Sequence, residues 1–328
     1  MISLEQDIQR NRTTILEFIE LASRILGYLP AVLSGKEQKS GYILYFSSSA
    51  NTKRFVRPIR EILFIMDLGE FSTKSQEFLD ILKRVKSKDM IYTDADLDCI
   101  DSVLYTIQQS IGAAFDLLVE PNSARKHVGN RFEELMKAVF TEIGIPNKRV
   151  LLKIPYESED GDKNYTCEND LILSPSQDLR EPEVKSEIKL AIKNTSEILE
   201  DDEIILSQKS LEDAKQFIND DEIVVSVKTT SKDRMGKMFM DKILLERFVG
   251  HRLKVIGIFL NDVQRKGVNN ISYTLVSGLF MVYNKFITEL DGVYYLDPPP
   301  NANREPYNKY IKRFSLLITK EINILLSS

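Results

Sequence analysis

An aspartate and a lysine, each at one end of a short apolar run, mark the chemistry open to this chain. Asp170 opens the strand-like run of ENDLILSP, and Lys228 closes the strand-like run of IVVSVK. A carboxylate and a lysine on neighbouring strands form the skeleton of a metal-dependent phosphodiesterase. The carboxylate holds Mg2+, the metal polarises the scissile phosphate and lowers the pKa of water, and the lysine orients or deprotonates that water. Side chains alternate along a strand, so Ser226 and Lys228 share one face while Ile223, Val225 and Val227 occupy the other. A burst of hydroxyl and charged side chains follows Lys228 at once, with Lys232, Asp233 and Arg234 leading into an amphipathic helix. The bland alternative is a strand-end lysine in solvent followed by a solvated helix face; it leaves the Asp170 run unexplained.

Helical geometry decides which later acid can join this group. With a helix starting near Asp233, seven residues advance it by about 700°, which leaves Arg234 and Asp241 within about 20° of each other. Glu246 falls about 140° from Asp241 and is the poorer candidate for the same site.

The elements that must position these residues fall into two regions. Residues 1–120 read as mainly helical, with apolar helical spacing over 3–27, helices over 57–66, 75–86 and 96–118, and one strand at 42–49. Pro121 and Asn122 interrupt, and residues 121–328 then alternate. The pattern gives helices at 124–142, 209–218, 234–250 and 279–290, strands at 149–155, 170–174, 186–193, 222–228, 253–260 and 271–278, and a last helix at 307–325. Strands alternating with helices predict an α/β fold, a sheet packed between helices.

Composition narrows the classes. The chain has 328 residues, 43% apolar, enough to bury a sizeable core. No run of eighteen apolar residues is present to cross a bilayer, and MISLEQDIQRNR lacks the charged-then-apolar order of a signal peptide, so the expected location is cytoplasmic, with no membrane partner. Cys99 and Cys167 have no cysteine or histidine at metal-ligand spacing, which argues against zinc. His127 and His251 are the only histidines, which leaves little room for a Ser-His or Cys-His hydrolase. A net charge of −5 is compatible with nucleic-acid binding only where basic groups gather in one cleft.

SVKTTSKDR followed by a helix carrying an acid resembles the PD-(D/E)XK type II restriction endonucleases, in the branch that contains EcoRII, Ecl18kI and NgoMIV. In that branch the glutamate two residues before the lysine is replaced, often by serine, and an acid on the following helix substitutes for it in space. Ser226, Lys228 and Asp241 stand at the matching positions, with aspartate where the family has glutamate. SARKHVGNRFEELMKAVF is similar to the first helix of the nuclease core. There Glu133 shares a helical stripe with Gly129, Met136 and Phe140, whereas Glu134 lines up with Asn130, Arg131 and Lys137. A carboxylate on an apolar stripe is costly unless paired or metal-bound, so Glu133 either pairs with a basic neighbour or supports the metal.

The resemblance implies a restriction-endonuclease-like core, a mixed central sheet flanked by helices, with Asp170, Lys228, Asp241 and Glu133 as catalytic residues and Asp170 and Asp241 holding Mg2+. It implies double-stranded DNA as substrate and a companion DNA methyltransferase in a restriction-modification system. Lys232, Asp233 and Arg234 match a basic-acidic-Arg triplet that contacts adjacent G·C pairs. Lysine and arginine donate to guanine O6 and N7 and aspartate accepts from cytosine N4, which points to a site containing CC and GG. Cutting both strands of a symmetric site takes two centres related by a dyad, so a homodimer is expected. Residues 1–120, where the resemblance is weak, would add DNA contacts, dimerise the protein or bind an effector.

A rival placement of the core remains open. Glu187 and Lys189 in SEIKLAIK also follow Asp170 as Glu-x-Lys, although nothing after Lys189 resembles the Lys-Asp-Arg reader. Two other functions fit a similar core: a structure-selective repair nuclease, and a non-catalytic DNA-binding protein on a nuclease fold.

Overall fold

The computed structural model describes residues 3–49, 52–89, 91–119, 121–159, 161–175, 203–206, 218–231, 234–266, 270–273 and 277–327. The strand expected at 186–193, with Glu187 and Lys189, and nearly all of the helix expected at 209–218 lie outside these residues.

The chain begins with α1 (Leu4–Ile8) and α2 (Ile15–Val32). Thr14 starts α2 with a reciprocal cap: its hydroxyl accepts from the Glu17 amide, and the Glu17 side chain reaches back to the Thr14 amide. Ile15, Phe18, Leu21, Ala22, Ile25, Leu26 and Leu29 recur at helical spacing and are buried. A small antiparallel sheet follows, in which β2 (Tyr42–Ser49) pairs with β1 (Gly35–Lys39), β3 (Thr52–Phe55) and β4 (Ile59–Arg60). The segment 57–66, expected as a helix, instead forms β4 and a turn. Pro58 biases Arg57 towards extended backbone, the Arg57 amide and guanidinium both donate to Asp116, and the Ile65 amide donates to Thr106 Oγ1.

After α3 (Leu68–Lys86), α4 (Asp94–Leu118) runs through the interior and is buried on all sides between Val103 and Phe115. Its buried polar groups tie it to distant segments. Asp101 accepts from Arg313 and Ser315, Gln108 donates to the Val128 carbonyl, and Gln109 donates to the Pro58 carbonyl. Burial pushes the Asp101 carboxyl up to about 6 against the opposing pull of Arg313. One apolar cluster consequently joins Phe18, Leu82 and Ile111 to Phe132, Val225, Ile258 and Phe314, on both sides of position 120.

The second half opens with α5 (Pro121–Glu142) and builds a seven-stranded mixed sheet of order β13-β12-β9-β8-β6-β5-β7. The long hairpin of β5 (Asn147–Ser158) and β6 (Gly161–Leu173) is antiparallel, and β6 is antiparallel to β8 (Ile223–Thr230). β8, β9 (Lys254–Asn261), β12 (Gly292–Tyr295) and β13 (Ile311–Arg313) run parallel to their neighbours, as does β7 (Glu203–Leu206) to β5. Between β9 and β12 lie the ribbon of β10 (Val263–Lys266) and β11 (Asn270–Tyr273) and the helix α7 (Ser277–Phe286). β12 and β13 were hidden in GVYY and in a stretch expected to be helical from 307. That stretch forms a short 3-10 turn, β13, and only then helical turns over 314–327, including a π-helical segment at Leu317–Glu321.

Both faces of the sheet are covered. Ile223, Val225 and Val227 face α5 and the C-terminal helical segment in the first cluster. Val224, Val255 and Phe259 face α6 (Arg234–Val249) and α7 through Met235, Met238, Phe239 and Phe280. Gly257 lets α6 approach: a Cβ there would stand 2.7 Å from Cε of Met238. The arrangement is an α/β fold with a mixed central sheet flanked by helices. Among the described residues no helix is long and apolar enough to cross a membrane.

The small sheet is latched to the large one by buried charge. Asp297, just past β12, accepts from Arg60 Nε at 2.9 Å and from the Tyr42 hydroxyl at 2.7 Å. Removing one partner of a buried ion pair strands the other, so Arg60→Ala is expected to destabilise the protein by about 3–5 kcal/mol in denaturant titration. A change near zero would show that the latch contributes nothing.

Candidate active site

β6 and β8 pair only from Leu173↔Ile223 to Leu171↔Val225, and then part. On the other side of β6 the register with β5 slips: Lys148 faces Ile172 but Val150 faces Asn169, so Asp170 and Leu171 together stand opposite Arg149. This is a β-bulge, which re-aims a side chain while leaving the strand in place. Asp170 occupies the point where the pairing with β8 fails, and its carboxylate fills the gap. Oδ2 accepts the Val227 amide at 2.8 Å, with the Ser226 hydroxyl at 3.5 Å.

Lys228 closes the group. Its Nζ lies 2.6 Å from Asp170 Oδ2 and 3.0 Å from Glu133 Oε1 on α5. The sequence stripe separates the two adjacent glutamates as observed: Glu133 turns to the sheet, and Glu134 pairs with Arg131. Arg131, almost fully buried, also donates to the Gln9 carbonyl and to Asn11 Oδ1. A cleft of about 260 Å³ opens beside the group, lined by Gln9, Asn11, Glu133, Arg149 and Asp170 among others. Residues from the first dozen positions thus form a wall of this cleft, a contribution with no local sequence signal.

Two carboxylates and one ammonium leave the group net negative. Burial and then the charge of Asp170 raise the Glu133 carboxyl above the usual glutamate range, against the opposing pull of Lys228. Burial works against the Lys228 ammonium, but Asp170 and Glu133 outweigh it and hold the lysine above its ordinary value. Among the described residues no three acid, histidine or cysteine side chains converge as a ready metal cage. The donor set still suits a hard divalent cation: Asp170 Oδ1 and Glu133 Oε2 accept no hydrogen bond from any described residue, and both are carboxylate oxygens.

The remaining expected residues are placed as follows. Asp241, on α6, pairs with Lys237 at 2.5 Å and makes no hydrogen bond to Asp170 or Lys228. Its charge nonetheless reaches β6: burial and then Asp241 push the Cys167 thiol up to about 11. Arg234 is the first residue of α6 and is exposed. Lys232 and Asp233 lie outside the described residues. The two histidines have structural company: His127 stacks on Phe115 at 5.5 Å, and His251 Nε2 bonds the Ile218 carbonyl. Both cysteines are buried.

Comparison with solved structures assigns the fold. Over 95% of its length the chain aligns with 92% of the type IIP restriction endonuclease Kpn2I, at a TM-score of 0.62 and 17% identity. The fold is that of a type II restriction endonuclease. A looser likeness, TM-score 0.35 and 12% identity over 79% of this chain and 93% of the other, is to the restriction endonuclease PspGI in complex with substrate DNA. No protein-family model and no curated protein matches the sequence.

The charge balance gives a prediction independent of activity. Lys228→Met leaves Asp170 and Glu133 facing each other across a half-buried notch without the ammonium that pairs with both. Without the opposing pull of Lys228 the Glu133 carboxyl, already raised by burial and by the charge of Asp170, rises further, and a raised carboxyl stabilises below its unfolded pKa and loses that stability as pH climbs through the folded value. In urea titrations with a chelator present, the variant should lose stability relative to wild type as pH climbs above the ordinary glutamate range. Parallel wild-type and variant pH curves would mean that the two acids do not interact.

Proposed function

We propose that the protein is a Mg2+-dependent type II restriction endonuclease that cuts both strands of duplex DNA at a specific sequence. The observation that carries this reading is the Asp170–Lys228–Glu133 group at the point where β6 and β8 part, on a restriction-endonuclease fold. Asp170 and, from α6, Asp241 are the residues assigned to the metal, with Glu133 as the supporting acid. Asp241 is favoured by its place on the helix covering the sheet face that carries Ser226, and by its nearness to Cys167, three positions before Asp170 on β6. Mg2+, when bound, supplies positive charge at the scissile phosphate and lowers the pKa of water.

The chain's own groups divide the remaining work. Asp170 takes the Val227 amide and so holds β8 at a fixed distance from the phosphate position. Lys228, kept charged by two acids, places an ammonium where it can orient the attacking water and meet the charge that develops on the phosphate oxygens. Glu133 accepts from Lys228 and keeps its Nζ turned to the notch. Arg149, in the cleft wall, adds positive charge beside Glu133.

Sequence reading is assigned to Lys232 and Asp233, which precede α6 in the sequence, and to Arg234, its first residue, over a site containing CC and GG. Arg234 supports this by its exposure at a helix N-terminus, a position from which a side chain can enter a major groove. A homodimer supplies the second cut, and a companion methyltransferase would protect the host's own sites. The N-terminal region, whose Gln9 and Asn11 line the cleft, is assigned DNA contacts or dimer contacts.

Digestion of plasmid DNA with and without Mg2+ tests this reading. Discrete, Mg2+-dependent bands are expected. A smear or cutting confined to branched DNA would indicate a structure-selective nuclease, and binding without cutting a non-catalytic protein. Lys228→Ala and Asp170→Ala should each lower the cleavage rate by about 10²–10⁴-fold or more while the circular dichroism spectrum stays that of the folded protein. Full activity of Lys228→Ala would move the site to Glu187 and Lys189. Arg234→Ala should lower preference for the cognate site by about tenfold or more while salt-sensitive binding to any duplex persists.

A further inference from the structure

Ser231 is fully buried where β8 ends, and its hydroxyl donates to Oδ1 of Asp262, buried just past the end of β9. β8 and β9 stay paired as far as Thr230↔Asn261, so their C-terminal ends lie side by side. The Ser231 carbonyl accepts from the amides of Arg234 and Met235, both at 3.0 Å. One residue therefore ties the first turn of α6 to a buried carboxylate on the next strand.

Two features make this tie more than a loop contact. A carboxylate taken out of water is costly, whereas a neutral acceptor would hold a serine at less cost; what the charge adds is a short, directional bond. Arg234 meanwhile stands in an unfavourable place, a cation at the positive end of its helix, exposed and without a side-chain partner among the described residues. A side chain presented to solvent against the helix dipole needs its backbone fixed from elsewhere if it is to meet a defined partner. Asp262 belongs to a wider buried network. Its charge acts on Tyr295 of β12 and on Asp297, which Arg60 and Tyr42 hold from the small N-terminal sheet.

We propose that Asp262, acting through Ser231, is a positioning residue for sequence reading: it fixes the first turn of α6 so that Arg234 addresses one base pair and not its neighbours. This rests on the proposed reading role of Arg234.

The test uses the full chain and a randomised duplex library in Ca2+, where bound sequences are selected and affinities for the preferred and for random duplexes are compared. Ser231→Ala and Asp262→Ala should each lower the ratio of preferred to random affinity by about tenfold or more, the effect of losing a charge-assisted hydrogen bond. Random-duplex affinity should stay at the wild-type value, which a general loss of folding would not allow. The two losses should combine to less than their product in the double variant, because both remove the Ser231–Asp262 bond. Asp262→Asn keeps a neutral acceptor for Ser231 and should give a preference between those of Asp262→Ala and the wild type. An unchanged ratio in Ser231→Ala, losses that multiply, or an equal fall in both affinities overturns the inference, and Ser231→Ala decides alone if Asp262→Ala does not fold. A wild-type protein that selects a sequence but cuts no DNA in Mg2+ overturns the nuclease reading and leaves this one standing. A wild-type protein with no sequence preference overturns this one.

Discussion

The candidate site depends on a rung missing from a ladder. Two antiparallel strands that stayed paired would leave no gap between them and no reason for a carboxylate to point there. β6 and β8 part after Leu171↔Val225, and the bulge opposite Arg149 turns Asp170 into the space. Its carboxylate then takes the Val227 amide, so the backbone donor freed by the parting is satisfied by a charged acceptor. The same oxygen receives Lys228, and Lys228 brings in Glu133 from the helix on one face of the sheet. Bond by bond, the opening of the sheet is what gathers the charged groups.

The rest of the fold keeps that opening rigid. α5 is held against the sheet by Phe132, Leu135, Met136 and Val139, and α4 is buried behind it with its polar side chains anchored to Pro58, Val128 and Arg313. The N-terminal region shares this core, and Arg131 binds Gln9 and Asn11 directly beside Glu133. Buried polar links of this kind are geometrically demanding, since each unpaired member would carry the full cost of desolvation. They favour one arrangement of the two halves around the cleft.

What the sequence made legible was local. The β8 run, with its two alternating faces, and the start of α6 were readable from periodicity, and the stripe containing Glu133 distinguished it from Glu134. The pairing of Lys228 with Glu133 was not readable, because 95 positions separate them. Neither was the bulge at Asp170, which exists only in the register between two strands. The segment 57–66 looked helical because its apolar spacing allows it; Pro58 and the long-range bonds to Asp116 and Thr106 decide otherwise. β12 and β13 are too short for periodicity to declare, and they are strands because a parallel neighbour is waiting for them.

Asp170, Lys228 and Glu133 meet at the parted strands, and on the proposed function Asp170 holds the metal there. A crystal of the protein soaked in Mn2+, with anomalous diffraction recorded at the manganese edge, tests it most directly. The expected result is an anomalous peak about 2.0–2.3 Å from a carboxylate oxygen of Asp170, with Lys228 Nζ still beside the notch. A manganese ion bound elsewhere with the notch empty, or Asp170 turned away from Lys228 and Val227, would contradict it.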